Sequence, residues 1–207
     1  MKSRVPVIIA FLLLTLVAVP AFAAGPYVGA EGGAVFLSTS TFTPEGGGGG
    51  DLKSKTGYGL GLLGGFDFGM WRLEGEFAYR KNDNKEITNP TEPVSGDVST
   101  MALMVNGYYD FRMVSPTFVP YIGGGIGGAR VAAKLIDSAG VTMIDEASNV
   151  FAYQFAAGVG FPISKELTLD LGYKYFATAE PEFESHGTKV KGEYASHNIF
   201  LGARYNF

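Results

Sequence analysis

Apolar and polar positions alternate through most of this chain, most plainly at its end. Ile199, Leu201, Ala203, Tyr205 and Phe207 share one parity; Phe200, Gly202, Arg204 and Asn206 share the other. A period of two is the mark of a β-strand with one apolar face. Trp71, Leu73, Gly75, Phe77 and Tyr79 alternate in the same way with Arg72, Glu74, Glu76, Ala78 and Arg80. Leu167, Leu169, Leu171, Tyr173 and Tyr175 alternate with Thr168, Asp170, Gly172, Lys174 and Phe176, and Tyr58, Leu60, Leu62, Phe66 and Phe68 with a mostly glycine set that ends at Asp67. The pattern predicts eight strands, near Tyr27–Leu37, Thr56–Gly69, Trp71–Arg80, Thr100–Phe111, Val119–Val131, Val150–Ile163, Leu167–Phe176 and Tyr194–Phe207. A tilted strand crossing a membrane needs about 9–11 residues, and each segment supplies them.

The predicted connections alternate in length. Gly69-Met70, Arg112–Phe118 and Ser164–Glu166 are short, whereas Ser38–Lys55, Lys81–Ser99, Ala132–Asn149 and Ala177–Glu193 are long and polar. Sorting of this kind matches a bacterial membrane barrel, with short turns on the periplasmic side and long loops outside. A soluble sandwich has no reason for it. The expected fold is therefore all-β: an eight-stranded antiparallel transmembrane β-barrel with short periplasmic turns and four long extracellular loops. In a lipocalin-like soluble barrel the apolar face would point inward instead. The charged set would then be the exterior, and it is sparse and mixed with glycine. A narrow interior suits that mixture better, with small residues where space is short and paired charges where polar groups must be satisfied.

The beginning of the chain agrees with export. Lys2 and Arg4 precede an apolar run from Val5 to Val19, followed by Ala21-Phe22-Ala23, an A-x-A cleavage pattern. This is the layout of a secretory signal peptide over residues 1–23, leaving a barrel domain over residues 24–207. The run is short for an anchor helix and ends at Pro20. Losing Lys2 and Arg4 would take the formal charge from −4 to −6. An acidic chain with no basic run argues against nucleic acid as a partner. With no cysteines, an exported protein must be stable without disulfides. All 30 glycines and all 11 tyrosines follow the leader, a composition that disfavours helices.

With these segments in hand, the chain resembles the small outer-membrane β-barrel superfamily that includes the opacity proteins, the rickettsial-type major surface antigens and the barrel of outer-membrane protein A. The resemblance is carried by Pro26-Tyr-Val-Gly-Ala, Trp71-Arg-Leu-Glu-Gly-Glu-Phe-Ala-Tyr79, Val119-Pro-Tyr-Ile-Gly-Gly-Gly-Ile-Gly127, Leu169-Asp-Leu-Gly-Tyr-Lys-Tyr-Phe176 and Leu201-Gly-Ala-Arg-Tyr-Asn-Phe207. It implies an integral outer-membrane surface protein of a Gram-negative bacterium, set among outer-membrane lipids and lipopolysaccharide. It also implies insertion by the barrel-assembly machinery, with Tyr205 and Phe207 as its signal, and a host or matrix ligand for the loops. Outer-membrane protein A continues into a peptidoglycan-binding domain, and no such domain is expected after this barrel.

Chemical motifs are weak. Gly59–Gly64 and Gly123–Gly128 match G-x-G-x-x-G, but neither opens a helix as a nucleotide site requires, so both read as space for close packing. Ser185-His186 and Ser196-His197 lie near Glu182, Glu184 and Glu193, and a lipid A-modifying hydrolase would need them in contact. Neighbours on a strand point to opposite faces, which separates Ser196 from His197. Two isolated histidines and no cysteine do not make a transition-metal site. The expectation is no catalytic residue, no cofactor and no metal. The inward parity does place Glu31, Asp67, Glu74, Glu76, Asp110 and Asp170 opposite Arg72, Arg80, Lys174 and Arg204. Burying an unpaired charge is costly, so these should pair across the interior. Such a network either plugs the barrel or lines a small porin-like channel. The plug is favoured, because eight strands leave an interior that side chains just fill. The role expected is structural or adhesive, through the loops, among them the flexible Gly46–Gly50 run.

Overall fold

The computed structural model describes residues 25–38, 40–42, 50–52, 55–84, 95–115, 117–136, 142–179, 182–185, 188–191 and 194–207. The proposed leader, His186 and Gly46 to Gly49 lie outside them. Strands in chain order are β1 (Gly25–Leu37), β2 (Ser40–Phe42), β3 (Gly50–Leu52), β4 (Gly57–Asp67), β5 (Trp71–Asn84), β6 (Ser95–Asp110), β7 (Val119–Ile136), β8 (Thr142–Pro162), β9 (Leu167–Thr178), β10 (Glu182–Ser185), β11 (Thr188–Lys191) and β12 (Ala195–Asn206). Eight of them close a barrel in the order β1-β12-β9-β8-β7-β6-β5-β4, every pair antiparallel, and β1 pairs with both β12 and β4 to complete the ring. Closure leaves the membrane-crossing ladder without an edge, which a strand structure in hydrocarbon requires.

The outward parity forms a continuous apolar belt. Leu62, Phe77, Leu103, Ile126, Phe155, Leu171 and Leu201 are all exposed on it. Exposed aromatics mark its margin at the short turns: Trp71 meets Tyr109 edge-on at 4.8 Å, Tyr109 meets Phe111 at 4.9 Å, and Tyr205 meets Phe207 at 5.4 Å. Amphipathic rings of this kind belong at the boundary between hydrocarbon and headgroups. The first short turn is tight. Gly69 takes φ +90°, and its amide donates to Asp67 Oδ1 at 2.8 Å. A side chain would strain that backbone.

Four strands run further than the alternation predicts. The β5–β6 ladder continues to Asn84–Gly96 and the β7–β8 ladder to Ile136–Thr142, so much of Lys81–Ser99 and Ala132–Asn149 is strand rather than loop. Ser38–Lys55 and Ala177–Glu193 are likewise not wholly irregular, since β2 pairs with β3 and β10 with β11. The reason is cooperative. Once neighbouring strands are registered in the membrane, adding ladder bonds beyond it needs no further alignment, whatever the local hydropathy. The wall from β5 to β8 is therefore taller than the wall from β9 through β12 and β1 to β4.

Candidate functional site

Inward side chains build the only chemically dense region among the described residues, and they are layered along the barrel axis. Near the short turns, Arg72 Nε donates to both oxygens of Asp110 at 3.0 Å, and its Nη1 lies 4.0 Å from Glu74. Glu74 also accepts the Tyr27 hydroxyl at 2.8 Å. The guanidinium of Arg72 stacks over Tyr108 at 4.5 Å and Tyr121 at 5.0 Å. Across the barrel, Arg204 grips Asp170 with two parallel bonds, Nε to Oδ2 at 2.6 Å and Nη2 to Oδ1 at 2.9 Å. That fork geometry is the strongest pairing available to a carboxylate.

One layer further from the turns, Lys174 bridges two carboxylates. Its Nζ donates to Glu31 Oε1 at 2.5 Å and to Glu76 Oε2 at 3.0 Å. Glu76 is fully buried, and its Oε2 also accepts from Asn106 at 2.8 Å and Gln154 at 2.7 Å. Arg80 approaches the other oxygen of Glu76 at 3.5 Å, with its guanidinium 4.2 Å above the Phe176 ring. Charged groups in a narrow interior persist only when paired and hydrogen-bonded on all sides, and this arrangement approaches that condition.

Beside and above Glu76 an apolar cluster joins the buried polar groups Arg80, Asn82, Thr100 and Ser196. Ala102, Met104, Ala129, Val131, Ala152, Phe176 and Tyr194 pack together, with Leu37, Val98 and Val150 against them. The expectation that the inward face holds charges and glycines is corrected here. These residues share the inward parity, but they sit where both faces of the strand are apolar or small, so alternation alone does not reveal them.

Asp67, Arg72, Glu74, Glu76, Arg80, Asp110, Asp170, Lys174 and Arg204 are buried, and Glu31 is half-buried beside them. Glu31, Glu76, Arg80 and Lys174 meet in the middle layer, while Arg72, Glu74, Asp110, Asp170 and Arg204 lie nearer the short turns. Asp67 sits at the mouth, where it pairs with Arg112, a residue not foreseen. Arg112 belongs to the turn after β6 and reaches back to Asp67 and, at 3.4 Å, to Asp110. No period-two signal marks a turn residue. Asn106 and Gln154 were also missed, though parity places them with Tyr108 and Ala156 on the inward face.

Inward glycines make the aromatics fit. A Cβ on Gly172 would stand 2.7 Å from the Tyr121 hydroxyl and would collide with Phe200; Gly158 faces the same tyrosine. Both G-x-G-x-x-G matches lie within strands β4 and β7, with Gly125 packed beneath Asn106 and Gly127 beneath Met104. The residual cavities are small. One is lined by Glu31, Arg80, Lys174 and Asn198 and another by Glu74, Tyr108, Asp170 and Arg204. They offer about 20 and 10 Å³ to water centres, on the order of one water each. Ser196 is buried inside, while His197 is exposed outside and shares a 2.6 Å hydrogen bond between its Nδ1 and the Tyr173 hydroxyl.

Comparison with known proteins agrees with this geometry. Residues 9–207 match the family model described as outer membrane protein beta-barrel domain. The chain is 30% identical to opacity protein opA55 of Neisseria gonorrhoeae, over 69% of this chain and 75% of that one. It is 24% identical to the putative adhesin RP828 of Rickettsia prowazekii, over 61% of this chain and 60% of that protein. Among solved structures, Neisserial surface protein A is similar with TM-score 0.54 and 20% identity, covering 90% of this chain and all of that one. OprG of Pseudomonas aeruginosa is similar with TM-score 0.54 and 15% identity, covering 88% and 97%. A closed eight-stranded barrel with an apolar belt outside and paired charges within, matched over nearly its whole length, belongs to the outer membrane protein beta-barrel domain family and resides in the outer membrane.

Proposed function

We propose that this protein is a non-enzymatic surface protein whose barrel is a closed scaffold and whose long-loop end binds a host or matrix partner. The filled interior carries the reading. Among the described residues, paired charges, stacked aromatics and an apolar cluster fill the interior, and the two cavities between them hold on the order of one water each, too little for a substrate or a steady ion path. What remains available for interaction is the tall β5–β8 wall with the loops around it. The relatives named opacity protein and putative adhesin support a role of that kind.

In this reading residues 1–23 are a leader and residues 24–207 the barrel domain. The short turns face the periplasm and the long-loop end faces outward among lipopolysaccharide. The barrel-assembly machinery reads the Tyr205 and Phe207 rings. A combined experiment tests the scaffold role. Purified protein in a planar bilayer should give no large steady conductance, and cells displaying it should adhere to host cells or matrix more than cells displaying a version trimmed within Ser38–Lys55 and Ala177–Glu193. A large steady conductance with unchanged adhesion would replace the scaffold by a small porin.

A further inference from the structure

On the outer face of the tall wall, chemistry changes between two consecutive cross-strand rows. Phe77, Leu103, Gly128 and Phe151 form one row; Tyr79, Met101, Arg130 and Asn149 form the next towards the long-loop end. Arg130 is exposed and is the first charge met on the outward parity of β7 after Ile122, Gly124, Ile126 and Gly128. Lys81, the neighbouring outward cation, is occupied by Asp97 at 3.5 Å. Among the described residues no ion pair includes Arg130.

A guanidinium held at the margin of hydrocarbon, without a counter-charge among the described residues, is complementary to a headgroup phosphate, which it can bind through two parallel hydrogen bonds. Asn149 stands beside it with a second polar side chain. Directly below, Gly128 leaves a notch: a Cβ there would find its nearest neighbour, the Val150 carbonyl oxygen, 4.0 Å away. Leu103 and Phe151, 67% and 54% exposed, flank the notch. The surface thus offers a phosphate contact in one row and an acyl-chain slot in the next.

We propose that Arg130, Asn149 and the Gly128 notch bind one phosphorylated glycolipid of the outer leaflet, its phosphate on the guanidinium and an acyl chain between Leu103 and Phe151. The leaflet rests on the outward orientation of the long-loop end proposed above. The test uses the purified full barrel in detergent, with lipid A, dephosphorylated lipid A and phosphatidylglycerol as probes and retention read by native mass spectrometry. Wild type should retain lipid A over the other two. Arg130→Gln should weaken lipid A retention about five-fold, the worth of one cation near an anionic surface, and leave dephosphorylated lipid A unaffected. Gly128→Leu should weaken lipid A retention without altering its dependence on salt. Among the described residues Arg130 takes part in no ion pair, and its exposed side chain lies outside the packed interior, so its variant should fold, checked by heat-modifiable migration. A folded Arg130→Gln that retains lipid A like wild type overturns the site, and equal retention of phosphatidylglycerol overturns the glycolipid. Orientation is read separately. The chain has no cysteine, so Ala147→Cys, one row above Asn149 on the outward parity, should react with a membrane-impermeant thiol reagent on intact cells. Labelling only after permeabilisation overturns the orientation, and the leaflet with it; loss of retention with normal labelling does not.

Discussion

Lys174 shows what a single residue does in this interior. Its ammonium neutralises Glu31 and Glu76 together, on strands β1 and β5, from a position on β9. Lys174→Met would leave Glu31 without a cation and facing Glu76, whose remaining partner is Arg80 at 3.5 Å. Breaking a buried pair in this way costs about 3–5 kcal/mol, and urea unfolding of the protein in lipid should show that loss. The double variant Lys174→Met, Glu31→Gln removes the ammonium together with the carboxylate that pairs with it alone, leaves Glu76 to Arg80, and should recover most of it, because the penalty belongs to unpaired charge rather than to lost attraction. If the single variant unfolds like wild type, water screens the middle layer and the barrel is not dry. Arg112 is the contrast. Its side chain is 43% exposed at the mouth, and a pair so open to solvent is worth about 1 kcal/mol or less.

At the scale of the strand, alternation gives adjacent residues opposite fates. Leu171 points to lipid and Gly172 to the interior, one position apart on β9. Leu171→Arg should destabilise by about 2–4 kcal/mol if it lies near the bilayer midplane, because a charge is carried into hydrocarbon. Gly172→Leu should fail for a different reason, since its side chain would need the volume held by Phe200 and Tyr121. Folding titrations in bilayers of two thicknesses separate the mechanisms. Thinning the bilayer brings Leu171→Arg closer to water and should relieve it, whereas Gly172→Leu should not respond. Equal responses would mean that the faces of β9 are misassigned.

The whole molecule depends on closing the ring between β1 and β12. Eleven residue pairs register along that seam, from Tyr27–Asn206 to Leu37–Ser196, and the Phe207 amide continues it to the Pro26 carbonyl at 3.1 Å. The Phe207 ring is 74% exposed and contributes nothing to the interior. Phe207→Ala keeps the seam's backbone bonds and removes only that ring. If the ring is a signal for assembly, the variant should refold normally in detergent yet reach the outer membrane in smaller amounts in cells, with the remainder as periplasmic aggregate. Equal outer-membrane levels of the heat-modifiable form would show that the ring is only an interfacial anchor.

Parity was legible in the sequence wherever one face of a strand carries charge or glycine, because the side-chain period of a strand is two whatever its partner. It sufficed to place Glu31, Glu76, Lys174 and Arg204 inside and Leu62, Phe77, Leu171 and Leu201 outside. It also sufficed to part Ser196 from His197 and to take the glycine motifs out of nucleotide chemistry. Which inward charge meets which could not be read that way. Glu31 and Lys174 are 143 positions apart and come together only through ring closure and stagger. The outer reaches of β6 and β8, at Ser95–Ser99 and Thr142–Asn149, carry no strong alternation, and only pairing with β5 and β7 makes them strands. Arg112 lies in a turn, where no period operates and the reach of a long side chain decides. The apolar layer around Met104 and Phe176 emerged from the tertiary structure for a related reason. Where both faces of a strand are apolar or small, hydropathy cannot tell lipid from interior, and only the closed barrel decides which face is which.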